Sequence, residues 1–262
     1  MAKRRAGAGG EGKEVIRSLF YFIIFPGFLF TSIAGLLASW IDRKVTARIQ
    51  WRVGPPWYQN FADIIKLLGK ETIVPKGGSK TMFLLSPLFG IASVTLVSTL
   101  IWVANIWPER AFIGDLIVVL YFLTIPAIGV MLGGFASGNP LASLGASREM
   151  KLVLSYELPF ILAIVVPIIK TGGVIRMGDI LQFQAANGIV VGSISGVIAL
   201  IVAILCMQAK LSLVPFDMPE AETEIMSGAY IEYSGSALAM YKLTRAMMLF
   251  TLPMVLVIIF IN

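Results

Sequence analysis

Long stretches of this chain carry almost no charge, and most of its charged residues gather between them. Apolar runs at about 15–41, 82–105, 112–135, 152–169, 188–209 and 236–261 are each long enough for a helix that crosses a hydrocarbon layer of ~30 Å. The pattern predicts an all-α, polytopic membrane helix bundle with about six transmembrane helices and helical loops, forming a single membrane domain over 1–262. Six prolines (Pro26, Pro87, Pro126, Pro159, Pro167, Pro253) fall inside these runs. Spanning helices tolerate proline where neighbouring helices satisfy the freed backbone groups, so these positions read as kinks or as hinges. No internal repeat is visible, which speaks against an inverted-repeat transporter acting alone.

Composition agrees with that pattern. The chain is 57% hydrophobic and 14% charged, where a soluble domain carries about 25% charged residues. Its mean hydropathy is +0.85. There is one cysteine, Cys206, and no histidine. An internal disulfide framework, a zinc site and cysteine- or histidine-held redox centres are therefore excluded. Redox chemistry must belong to a partner, so this chain is expected to carry no catalytic centre, metal or cofactor of its own.

The net charge of +6 need not mean nucleic acid, because basic residues concentrate in the cytoplasmic loops of membrane proteins. Residues 42–81 hold eight of them: Arg43, Lys44, Arg48, Arg52, Lys66, Lys70, Lys76 and Lys80. With that loop cytoplasmic, 136–151 and 210–235 are cytoplasmic too. The N-terminus, 106–111 and 170–187 then lie outside a cell membrane. The basic N-terminal stretch opposes this assignment weakly, and the run after it is too long for a cleaved signal. All three inside loops carry polar residues with chemical potential, so one face is built to meet something.

In the first inside loop, Lys44, Arg48 and Arg52 recur at four-residue spacing and would form one basic stripe on a helix stopped by Val53-Gly54-Pro55-Pro56. Phe61, Ile64, Ile65 and Leu68 opposite Asp63, Lys66 and Lys70 predict a short amphipathic helix. It would lie on anionic lipid or on a soluble partner. In the second loop, Arg148 reads as a snorkelling surface residue beside Glu149. Glu157 is a carboxylate inside a span, which is a functional position by default. The third loop holds Asp217, Glu220, Glu222, Glu224 and Glu232 with no Lys or Arg among them. Glu220 and Glu224 share a face if it is helical. Such a row suits a solvated acidic patch, or a proton relay if crowding and burial push its carboxylates towards neutrality. Lys242 and Arg245 follow in the last span, where they could pair with these acids.

RKVTARIQWRVGPP at 43–56, LGGFASGNPLASLGASREM at 132–150 with SYELP at 155–159, and PFDMPEAETEIMSGAYIEYSG at 215–235 resemble the complex I subunit 1 family. That family includes the membrane subunits of NADH:quinone oxidoreductase and of group 4 membrane-bound [NiFe] hydrogenases. The resemblance implies a subunit that anchors a soluble redox arm and joins it to antiporter-like subunits. Its glutamates would start a charged path coupling electron transfer to proton or sodium movement. By position, the resemblance assigns the ion path to Glu157, Glu220, Glu222, Glu224 and Glu232. Arg48, Arg52 and Arg148 match basic positions facing the redox arm. Asp217, Lys242 and Arg245 are added to the path, and Arg43, Lys44 and Glu149 to the docking face.

Three features favour the hydrogenase and sulfane reductase branch: Arg245 in place of a usual glutamate, a first loop without an insertion, and Arg148-Glu149-Met150. The branch implies hydrogenase-like large and small subunits holding iron–sulfur clusters and a nickel–iron centre. Family members commonly have eight spans. The expectation here is that two helices are absent or come from another polypeptide. A quinone-site subunit of respiratory complex I and a stand-alone secondary transporter are the other readings.

Overall fold

The computed structural model describes residues 15–261. Most of the basic N-terminal stretch lies outside the described residues. The helices are α1 (15–23), α2 (Phe28–Ile49), α3 (Gln59–Leu68), α4 (Lys80–Ile106), α5 (Asp115–Phe122), α6 (Ile125–Ala136), α7 (Pro140–Lys170), α8 (Met177–Asn187), α9 (Ile194–Lys210), α10 (Glu222–Ile225) and α11 (Gly235–Phe260). Among the described residues, five helical segments are long and apolar enough to span: Val15–Ile49, Lys80–Ile106, Asp115–Ala136, Pro140–Lys170 and Gly235–Phe260. The remaining expected span, 188–209, is realised as a 3₁₀ turn followed by the 17-residue α9, at the lower limit for crossing.

Two of the six prolines break their segments and four do not. The chain leaves helical geometry at 24–27 around Pro26. It does so again between α5 and α6, where Pro126 sits in the first turn of α6 and has no N–H to continue the ladder. Helices α4, α7 and α11 run unbroken through Pro87, Pro159, Pro167 and Pro253.

Element boundaries differ from the expected spans in three places. Helix α2 continues to Ile49, so Arg52 lies past its end and only Lys44 and Arg48 of the basic stripe are helical. Most of the expected loop 136–151 is the first part of α7, which starts where Asn139 accepts a hydrogen bond from Leu141 N and Pro140 fills the first turn. The expected outside loop 170–187 contains α8.

Helix α11 packs against α2 and α4, α4 against α6, and α7 against α6 and α9. The main core joins Val97, Ile101, Leu116, Phe160, Ile164, Met247, Leu252 and Ile259, all fully buried. A smaller cluster of Phe83, Tyr233, Ala237 and Tyr241 lies where the acidic loop meets the bundle. That loop packs closely on α7. A Cβ on Gly145 would lie 2.5 Å from Ala229 N, and one on Gly228, at φ +51°, would lie 1.9 Å from Pro219 O. Only glycine fits both constraints at 228.

Candidate functional site

The acidic loop folds as turns around the four-residue α10, so it offers no shared helical face. Glu220 and Glu224 part company instead. Arg245 Nη1 donates to both Glu220 oxygens at 2.6 and 2.7 Å, while its Nη2 donates to Ser212 O. Glu224 accepts from Arg148 Nη1 at 2.6 Å, and the same nitrogen reaches Met218 O. Arg148 is thus a tie between α7 and the acidic loop, not a snorkelling surface residue. The absence of Lys or Arg within the loop is made good by cations from two helices.

Glu232 accepts a 2.6 Å hydrogen bond from Asn139 Nδ2, the residue whose Oδ1 caps α7. Its charge therefore sits beside a helix N-terminus, which favours an anion. Glu222 is exposed and Asp217 half-buried. Both line an open cavity with Arg148, Lys151, Glu220 and Glu224. Lys242 is exposed and makes no hydrogen bond or ion pair among the described residues. It borders two cavities flanking Arg245.

Glu157 lies deeper. Lys210 Nζ donates to its Oε2 at 2.9 Å, and Thr124 Oγ1 donates to its Oε1 at 3.1 Å. The Lys210 side chain is 1% exposed, and its ammonium also stands 5.2 and 5.0 Å from the Tyr156 and Phe160 ring centroids. Thr124 reaches this place because the chain breaks between α5 and α6. Sequence reasoning missed Lys210. As the last residue of an apolar run it looks like a helix-end lysine reaching for water. The available signal was its position three residues before Leu213-Val214-Pro215, at the mouth of the acidic loop.

A cavity of about 60 Å³ lies between Lys210 and the Glu220–Arg245 pair. Its lining includes Lys210, Glu149, Glu220, Tyr230, Tyr241 and Arg245. Glu149 is 5% exposed. Its carboxylate faces the interior, which removes it from the residues available for docking. Beside the cavity, Tyr241 Oη donates to Gly129 O and lies 2.9 Å from Ser86 Oγ, and Tyr233 Oη donates to Phe83 O while lying 3.0 Å from Ser86 Oγ. Burial pushes the Tyr233 phenol up from its ordinary value.

On the outer rim of the bundle, Arg43 hydrogen-bonds Asn60 and stands 3.7 Å from Asp63, fastening α3 to α2. Lys44 is half-buried, and Arg48 and Arg52 are exposed. Trp51, Val53, Trp57, Tyr58, Ile65 and Leu68 are exposed around them. The buried residue of α3 is Asn60 rather than any member of the expected apolar face. Ile65 and Leu68 turn outwards.

Residues 21–262 match the family described as NADH dehydrogenase. The H subunit of the NADH-quinone oxidoreductase of Geobacillus sp. (strain WCH70) is 33% identical over 238 residues, covering 87% of this chain and 68% of that protein. Its Thermomicrobium roseum counterpart of the same name is 36% identical over 242 residues, covering 83% and 70%. Among solved structures, a chain of the membrane-bound sulfane sulfur reductase, an archaeal respiratory membrane complex, superposes with a TM-score of 0.82 at 30% identity. It covers 94% of this chain and 78% of its own. Motifs, bundle and matches agree that this chain belongs to the NADH dehydrogenase family of complex I subunit 1 membrane proteins.

Proposed function

We propose that this chain is the membrane-anchoring and ion-path subunit of a complex I-like, ferredoxin-dependent membrane-bound hydrogenase or sulfane reductase. It couples electron transfer in a soluble arm to proton or sodium translocation. The observation that carries this reading is the buried Glu157–Lys210 pair, set one cavity away from the Glu220–Arg245 pair. Charges at membrane depth are costly and are kept where ions or protons pass. Here acid and base alternate from the acidic loop into the bundle.

Iron–sulfur and nickel–iron centres belong, on this reading, to hydrogenase-like large and small subunits. Antiporter-like subunits continue the path through the membrane. The exposed Arg48 and Arg52, with the aromatic rim around Trp51 and Trp57, form the face towards the soluble arm. That face is cytoplasmic.

The test is Glu157→Gln in the assembled complex, with electron transfer and ion uptake measured together in membrane vesicles. Electron transfer persisting while uptake collapses is the expected result. Unchanged uptake in a fully assembled variant refutes the proposal. A second reading, a quinone-site subunit, is favoured by the Geobacillus and Thermomicrobium relatives, which are named as parts of quinone oxidoreductases. Inhibition of electron transfer by quinone-site blockers would establish it instead.

A further inference from the structure

The cavity is lined by two carboxylates, Glu149 and Glu220, and two cations, Lys210 and Arg245. Lys210 is committed to Glu157 and Arg245 to Glu220. Glu149 is left over. It is only 5% exposed, and it accepts no hydrogen bond and forms no ion pair among the described residues. Its electrostatic neighbours are Glu220 and Arg245. From α7 it faces Lys210 of α9, Glu220 and Tyr230 of the acidic loop, and Tyr241 and Arg245 of α11. The lining from Leu123 to Val130, at the start of α6, is apolar, and Tyr156 and Glu157 follow two turns along α7.

A bare carboxylate in such a place is unfavourable, and a buried group of this kind is neutralised or paired. We propose that Glu149 is a proton-exchanging carboxyl of the ion path, with Arg245 alternating between Glu220 and Glu149. This rests on the ion-path reading above and names a residue and a step within it. In the arrangement seen, Glu149 holds the proton and Arg245 holds Glu220. In the alternative, the proton has left the Glu149 oxygen for a Glu220 oxygen through water in the cavity, and the guanidinium, protonated throughout, has turned to Glu149. Net charge is the same before and after. The cavity, about 60 Å³, exceeds the ~10–15 Å³ that one water requires. Arg245 is 42% exposed along its side chain, so solvent reaches it on one side. Glu149 from α7 and Glu220 from the acidic loop line the same cavity as Arg245, which is the arrangement that an exchange needs.

Infrared difference spectroscopy on the purified complex tests the exchange directly, by the C=O stretch of a protonated carboxyl. The wild type is expected to show such a band, and Glu149→Gln to lose it, with Glu149→Asp retaining it at a shifted position. Glu220→Gln removes the other partner, so Arg245 settles on Glu149 and the band disappears although Glu149 is present. Adding Arg245→Met to Glu220→Gln restores it. A band that survives Glu149→Gln overturns the proposal, as does one that survives Glu220→Gln. If Glu149→Gln fails to assemble while Glu149→Asp assembles without any band, the role is structural and the proposal is wrong. These outcomes are independent of the Glu157→Gln uptake result. Loss of coupling in Glu157→Gln together with a band that survives Glu149→Gln leaves the ion-path reading standing and this step refuted.

Discussion

Replacing Lys210 with Met removes one charge while keeping most of the side-chain volume, and it separates buried from exposed electrostatics. The Lys210 side chain is 1% exposed and that of Glu157 is 22% exposed, with 2.9 Å between Nζ and Oε2. Losing the ammonium leaves Glu157 with Thr124 alone. Breaking a buried pair on one side costs about 3–5 kcal/mol. Because Glu157 keeps a hydroxyl donor and some exposure, the lower end, about 3 kcal/mol, is expected. Arg148→Met breaks an ion pair as short, 2.6 Å, but Glu224 there is 63% exposed. That loss is expected to be about 0–1 kcal/mol.

Thermal unfolding of the detergent-purified complex, with bound subunits held constant, measures both. The double variant Lys210→Met/Glu157→Leu should recover most of the single loss, since a well-packed apolar pair can replace a buried ion pair at little cost. Equal effects of Lys210→Met and Arg148→Met, or strict additivity in the double variant, would refute the assignment of this stability to the buried pair.

Gly133→Ala would set a Cβ 2.3 Å from Tyr241 Oη, 2.4 Å from Tyr233 Oη and 2.8 Å from Ser86 Oγ. The hydroxyl chain must then open, and a destabilisation of about 1–3 kcal/mol is expected. Gly77→Ala, which meets nothing within 4 Å, serves as the neutral control in the same unfolding assay. Arg245→Lys keeps one cationic nitrogen for Glu220 but loses the bond to Ser212 O. It should therefore support most of the wild-type ion uptake per electron, whereas Arg245→Met should not. Equal uptake in the two variants would show that the charge at this position is irrelevant.

The bundle was readable because apolar runs of spanning length leave the chain few alternatives to a helix. What escaped reading was contact between segments distant in sequence. Nothing local to Lys210 announces Glu157, 53 residues earlier, because only tertiary packing brings α7 beside α9. Glu149 and Arg148 adjoin in sequence, yet helical rotation sends one into the cavity and the other to the loop. Composition gave no basis for separating them. Pairing of the third-loop acids with Arg245 of the last span was legible and holds at Glu220, whereas the tie from Arg148 on α7 to Glu224 was not. For α3, Ile65 and Leu68 of the expected apolar face do turn outwards, while Asn60, held inward by Arg43 and by Leu36 O, had no signal in the apolar spacing.

Helix α7 is 31 residues long and continuous through two prolines, or about 46 Å at ~1.5 Å per residue. That is well beyond a hydrocarbon layer of ~30 Å. Arg148 and Glu157 are carried on this one rod, nine residues and about 14 Å apart. Neither can be shifted along the axis without the other. A push along the axis on the end tied to the acidic loop therefore has a direct route to the carboxylate facing Lys210.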